Sequence, residues 1–101
     1  MIIREWRGRA APTNPQGYPE HFRDHVAPEL ARLPGFLGAS LSKRSVEGAM
    51  EFLVLTRWES LDHIKQFAGA DIAKAVVEPG AIAALADFDD KVQHYESIEE
   101  I

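Results

Sequence analysis

Histidine is the side chain of this sequence best suited to exchange a proton near neutral pH, and the chain has four: His21, His25, His63 and His94. A neutral imidazole acts as a general base when a pocket places it beside a substrate. His94 lies in a predicted strand and His25 at the edge of an apolar helical stripe, so these two are the candidate catalytic residues. The alternative for His94 is a hydrogen-bonded structural role, and His63 is expected to face solvent.

Metal binding is not predicted. His21 and His25 are four residues apart, a spacing that can place two imidazoles on one metal, but Phe22 stands where a zinc protease would carry its catalytic Glu. The chain has no cysteine, which excludes thiolate zinc sites, disulfide scaffolds and cysteine nucleophiles. We therefore expect no metal and no cofactor.

Aromatic and arginine side chains supply the candidate binding surface. Trp58 and Trp6 could stack on an aromatic ligand or simply pack the sheet. Arg4 could bind an anion through its fork of donors, or it could pair with acidic residues on a neighbouring strand. The predicted substrate-binding residues are Trp58, Trp6, Arg4, Phe22 and Phe67.

Hydrophobic spacing predicts the elements that carry these side chains. Residues 2–10 are predicted to form a first strand. Apolar residues at four-residue spacing from Tyr18 onward predict a helix that ends before Pro34-Gly35. Pro28 lacks an N–H and crowds the preceding turn, so this helix should kink or restart near Ala27.

Three more strands and a second helix are predicted after residue 35. Residues 36–44 alternate as a strand does, and residues 50–58 form an apolar strand typical of one covered on both faces. Ser60 is predicted to cap a second helix. Two short helical pieces, at 71–77 and 81–86, and a last strand at 88–98 complete the predicted elements.

This order, β-α-β-β-α-β, predicts one α+β domain over residues 1–101: a ferredoxin-like plait with an antiparallel sheet in the order 4-1-3-2 and both helices on one face. The first strand is rich in arginine and residues 87–100 hold six acids, which favours their pairing. The apolar third strand also needs cover on its other face. A second copy packed sheet to sheet would supply it, so we expect a homodimer.

Composition narrows the functional class. The net charge is −5, which argues against nucleic acid as a partner. No apolar run is long enough to span a membrane, and the N-terminus lacks the pattern of a signal peptide. The expected protein is cytoplasmic.

Several stretches resemble the antibiotic biosynthesis monooxygenase (ABM) family. The resemblance is sharpest over residues 51–60 with Leu61, Ile64 and Phe67, and it extends to residues 33–38 and 94–96. It implies a dimeric α/β barrel built from two plaits, with a pocket between each sheet and its helices. It also implies a cofactor-independent monooxygenase or a related proton-shuffling enzyme acting on an aromatic or hydrophobic small molecule.

The residues that carry activity in known members differ here. Val54 occupies the position of an asparagine in cofactor-free oxygenases that act on aromatic polyketides, and no tyrosine follows Trp58 at the family's position. Haem-degrading members place a histidine where this chain has Val77, and valine cannot ligate iron. A non-catalytic metabolite-binding or structural dimer of the same fold is therefore the alternative prediction.

Overall fold

The computed structural model describes all 101 residues, and its first layer is an antiparallel sheet. The strands are β1 (Ile2–Ala10), β2 (Phe36–Val46), β3 (Ala49–Trp58), β4 (Leu85–Phe88) and β5 (Gln93–Glu96). The hydrogen-bonded order is β2-β3-β1-β4, and β5 pairs with β1 beyond the end of β4. The predicted order 4-1-3-2 is confirmed, with the last strand divided in two.

Three helices form the second layer. The first, α1, covers residues 17–30 as an α-helical turn (Gly17–His21), a π-helical turn (Phe22–Val26) and a second α-helical turn (Ala27–Leu30). The second and third are α2 (Leu61–Ala68) and α3 (Pro79–Ala84).

Pro28 explains the irregular middle of α1. It has no N–H to donate to the carbonyl four residues earlier, and its ring crowds that carbonyl. The Ala27 N–H instead donates to the Phe22 carbonyl, five residues back, which widens the helix by one π-helical turn. The predicted restart near Ala27 is confirmed.

Two predicted helical pieces are corrected by the structure. Residues 71–77 are not helical, because their backbone bonds to the chain that precedes β5: Ala75 N–H donates to Asp90 O and Val92 N–H to Ala73 O, both at 2.8 Å. The helix predicted at 81–86 begins earlier, since Pro79 fits the first turn of a helix, and it ends at Ala84. Residues 85–86 belong to β4.

The last strand was predicted to be continuous over 88–98, and this is wrong as well. It is interrupted between Phe88 and Gln93, where the chain turns to bond with the connection between α2 and α3 (residues 69–78; the α2–α3 connection). This interruption positions the connection over the sheet, next to the centre of β1.

The sheet has two unlike faces. On the face toward the helices, Phe52, Val54, Thr56 and Trp58 of β3 are all buried. The opposite face, which we call the open face, presents Ile3, Glu5 and Arg7 of β1 beside Arg57, Leu55 and Leu53 of β3. In the single chain these open-face residues are only half-buried.

Charges on the open face pair across strands as expected. Arg9 of β1 contacts Asp87 and Asp89, the latter at 2.8 Å, and Glu51 on β3 at 3.5 Å. Opposite charges on neighbouring strands contribute roughly 0.2–1 kcal/mol per pair. No helix has the combination of length and apolar character that crossing a membrane requires.

Gly35 precedes β2 with a φ of 77°, and a Cβ there would overlap the ring of His63 on α2. Gly48, in the β2–β3 turn, has a similar φ of 81° but no neighbouring atom within 4 Å of such a Cβ. We expect Gly48→Ala to lower the free energy of unfolding by about 1–2 kcal/mol, the cost of a left-handed backbone, and Gly35→Ala to lower it further by about 1–3 kcal/mol. Denaturant titration measures both, and equal losses would contradict the predicted overlap.

Candidate functional site

A cavity of about 220 Å³ lies between the helix-facing side of the sheet and the helices. Strands β1 and β3 form its floor, and α1, α2, α3 and the α2–α3 connection form its walls. Eleven of its 16 lining residues are hydrophobic. Such a mostly apolar cavity with a few polar groups is the ordinary form of a small-molecule site.

Arg4 is the buried charged residue of the cavity lining. It is 5% exposed, and its Nη1 donates to the carbonyl of Ile72 at 2.7 Å and to Nε2 of His94 at 3.0 Å. Its Nη2 donates to the carbonyl of Lys74 at 3.0 Å. Arg4 therefore ties the α2–α3 connection and β5 to the middle of β1.

The charge of Arg4 has no carboxylate partner. No Asp or Glu oxygen lies within 4.0 Å of its guanidinium, and its nearest aromatic neighbour is Phe67, whose ring centroid is 5.7 Å from Cζ. Burial lowers the pKa of Arg4 to about 10, so the guanidinium remains charged at neutral pH. The cavity lining thus contains a buried cation that forms no salt bridge.

His94 lies opposite Arg4 in the β1–β5 pair. Because its Nε2 accepts a hydrogen bond from Arg4, the proton of the neutral ring is on Nδ1. Burial, together with the positive charge of Arg4, lowers the pKa of His94 and favours this neutral form. His94 does not line the cavity, so its contact with the site passes through Arg4.

Tyr18 and His21 are two of the lining residues that were not predicted as site residues. Tyr18 is 4% exposed, and burial together with the charge of Glu78 raises the pKa of its hydroxyl, which therefore stays protonated. His21 also lines the cavity, and its Nε2 is buried without a hydrogen-bond partner. The apolar helical stripe that includes Phe22 begins at Tyr18, and His21 lies one turn after Tyr18. The same periodicity could therefore have predicted both residues.

Trp6 and Phe67 line the cavity as predicted for binding residues. The indole Nε1 of Trp6 donates to the carbonyl of Asp89 at 2.8 Å, which fixes the ring in the wall. Phe67 packs beneath the guanidinium of Arg4. Arg4, Trp6 and Phe67 are thus the predicted binding residues that the fold brings together.

The other predicted site residues lie outside the cavity lining. Trp58 is fully buried; it stacks on Phe67 at 5.3 Å and donates to Thr56 Oγ1 at 2.9 Å, so it supports the wall from behind. Phe22 packs against Tyr18 with the ring centroids 6.3 Å apart. His25 is exposed on α1, its ring centroid 5.3 Å from that of His21.

The lowered pKa of His94 predicts a pH-dependent stability. Between the folded value and the ordinary value of 6.5, the unfolded chain binds the proton that the folded chain does not. The free energy of unfolding should therefore fall as the pH decreases through this window. We expect His94→Gln to flatten this part of the curve, measured by denaturation from about pH 7 to about pH 5. The exposed His25→Gln serves as the control and should parallel the wild type; identical curves for all three proteins would contradict the prediction.

Several proteins of known structure superpose on all or nearly all of this chain. MhuD, a haem-degrading protein from Mycobacterium tuberculosis solved with two haems in its active site, is 22% identical and superposes with a TM-score of 0.64 over 100% of this chain and 99% of that one. Proteins from Deinococcus radiodurans and Bacillus cereus that carry the ABM family's description are 20% and 19% identical, with TM-scores of 0.61 and 0.65. These matches cover 100% and 99% of this chain, and 96% and 97% of the others.

At such identities the structural matches concern the fold, which is the α+β ferredoxin-like fold of these neighbours. No curated protein sequence matches the chain significantly. The sequence profile described as antibiotic biosynthesis monooxygenase, however, matches residues 1–79, well over half of the chain. The protein therefore belongs to the antibiotic biosynthesis monooxygenase family.

Proposed function

We propose that this protein binds a flat aromatic or otherwise hydrophobic small molecule in the cavity and oxygenates it without a cofactor. The observation that carries the proposal is the apolar cavity with a buried cation, Arg4, in its lining. Trp6 and Phe67 supply flat walls for a ring, and aromatic stacking contributes about 0.5–1.5 kcal/mol beyond burial. Family membership supports the same class of ligand.

The reaction proposed is the oxidation of a ring methylene that is conjugated with a phenol. The substrate loses a proton to solvent water, its anion transfers electrons to O₂, and a C–O bond forms to give a peroxide anion, which takes the proton back as a hydroperoxide. Loss of water then breaks the O–O bond and leaves a carbonyl, so CH₂ plus O₂ gives C=O plus H₂O. The substrate supplies all four electrons, and no other reductant is needed.

Arg4 would stabilise the substrate anion, because the negative charge develops on the substrate during this reaction. The protonated hydroxyl of Tyr18 is a second donor available in the wall. In this proposal His94 positions Arg4 rather than taking a proton itself. His25, the other predicted base, takes no part because it lies outside the cavity.

Haem does not fit the residues that line this cavity. Val77, which stands where haem-degrading relatives have a histidine, lines the cavity and has no ligand atom. Of the lining side chains that can ligate iron, Tyr18 keeps its proton and His21 has its Nε2 enclosed by packing.

One observation favours the second candidate function, a binding protein without turnover. Val54 is buried in the cavity floor, at the position where cofactor-free oxygenases of the family carry an asparagine. A valine cannot hydrogen-bond or polarise a substrate oxygen. The cavity would then retain a metabolite through burial and Arg4 alone.

The proposal includes a homodimer formed through the open face. Leu53 and Leu55 of β3 lie on that face, which is opposite the helix layer. Two sheets packed face to face about a two-fold axis would bury these residues in each copy. ABM-family membership supports this arrangement.

Val77→Phe tests the cavity, because the larger ring fills it without altering a polar group. We expect the variant to bind a hydroxyanthrone at least roughly tenfold more weakly than the wild type, as measured by equilibrium dialysis. Its oxygen uptake should fall to match. Ile82→Phe, on the exposed side of α3, is the matched control and should behave as the wild type. Binding without oxygen uptake in the wild type would select the binding protein, and no binding at all would contradict both functions.

Leu55→Arg tests the dimer. Sedimentation of the wild type at micromolar concentration should give twice the chain mass of 11.3 kDa, and the variant should sediment as a single chain, since a charge would be buried in the interface. Leu61→Arg, at an exposed site on α2, should leave the mass unchanged. A wild-type protein that sediments as a monomer would refute the interface.

A further inference from the structure

The arginines of β1 differ in how their charge is balanced. Arg7 and Arg9, on the open face, contact the carboxylates of Glu5, Glu51 and Asp89. Arg4, on the helix-facing side of the same strand, has no carboxylate within reach and is the most buried of the three. A buried charge without a counter-charge is costly, so such a residue suggests that its partner arrives from outside the chain.

Arg4 also has donors to spare. A guanidinium carries five N–H donors, and the chain uses three of them, two on Nη1 and one on Nη2. The Nε–H and one Nη2–H have no partner in the protein. Two N–H groups on one planar guanidinium match the two oxygens of a carboxylate, or a single oxyanion shared between them.

The cavity also has two acidic lining residues, Glu29 of α1 and Glu78 before α3. Glu29 is exposed, and the charge of Glu78 raises the pKa of Tyr18. Neither carboxylate forms a salt bridge with Arg4, so no acidic group of the chain occupies its unused donors.

Arg4 is held in place before any ligand binds. Backbone carbonyls of Ile72 and Lys74 and the ring nitrogen of His94 restrain the guanidinium, and Phe67 packs against it. Binding of a ligand to the unused donors would therefore cost little conformational entropy in this side chain.

Building on the proposed binding function, we propose that the ligand of this cavity carries an oxyanion, a carboxylate or a phenolate, that binds the two unused N–H donors of Arg4 while its apolar ring lies against Trp6 and Phe67. The same contact lowers the pKa of a bound phenol, because a desolvated cation favours the anionic form of its neighbour. His94 is the positioning residue that orients the guanidinium.

The test uses three probes of one shape on the wild-type protein: 4-nitrophenol, its methyl ether 4-nitroanisole, which cannot ionise, and 4-nitrobenzoate. Equilibrium dialysis measures each affinity below the pKa of the free phenol, and the phenolate absorption band reports ionisation of the bound phenol. We expect at least one acid to bind roughly tenfold to a hundredfold more tightly than the ether, the range for a hydrogen bond to a charged group.

The affinities of the three probes and the phenolate absorption band distinguish a phenolate ligand from a carboxylate ligand. A phenolate band that appears on binding identifies a phenolate ligand, and tight binding of nitrobenzoate alone identifies a carboxylate. Equal affinity for the ether and both acids overturns the inference but leaves the proposed binding function standing. If no probe binds, both are overturned.

Arg4→Gln removes the charge and should abolish the preference for the acids while retaining binding of the ether, and Arg4→Lys should keep much of the preference. Arg23→Gln, on the exposed side of α1, is the control and should match the wild type. Circular dichroism checks that each variant is folded. If Arg4→Gln does not fold, the wild-type comparison and Arg4→Lys decide the question. If Arg4→Gln folds and still prefers the acids to the same degree, the inference is refuted.

Discussion

The guanidinium of Arg4 is the contact on which the site depends. It joins three parts of the chain that are far apart in sequence: β1, the α2–α3 connection through Ile72 and Lys74, and β5 through His94. These hydrogen bonds join β1 to the connection, which forms part of the cavity wall. A single side chain therefore links the wall to the sheet and supplies the buried positive charge of the cavity.

The two faces of the sheet use charge in opposite ways. On the open face, arginines and carboxylates neutralise one another across strands, as at Arg9 with Asp87 and Glu51. On the helix-facing side, Arg4 is buried among apolar residues without such a partner. Because β1 alternates its side chains between the faces, one arginine-rich strand can serve both purposes.

Aromatic packing extends the cavity wall into the core. Trp58 stacks on Phe67, and Phe67 in turn lies beneath Arg4. This arrangement explains why a tryptophan in the family's sharpest sequence stretch does not reach the cavity. Trp58 instead supports the ring of Phe67, which lines the cavity, and the hydrogen bond to Thr56 fixes Trp58 in place.

Local patterns in the sequence were sufficient for the first three strands, the kinked first helix, the strand order and the family. Strand alternation, proline geometry and cross-strand charge act over a few residues, so they can be read without a structure. Residue type nominated Arg4, Trp6 and Phe67 as binding residues, and the fold places all three in the cavity lining. Only the tertiary structure showed that residues 71–77 bond to the chain before β5, that Tyr18 and His21 line the cavity, and that His94 contacts Arg4. Those features depend on contacts between residues up to 90 positions apart, and no local pattern encodes them.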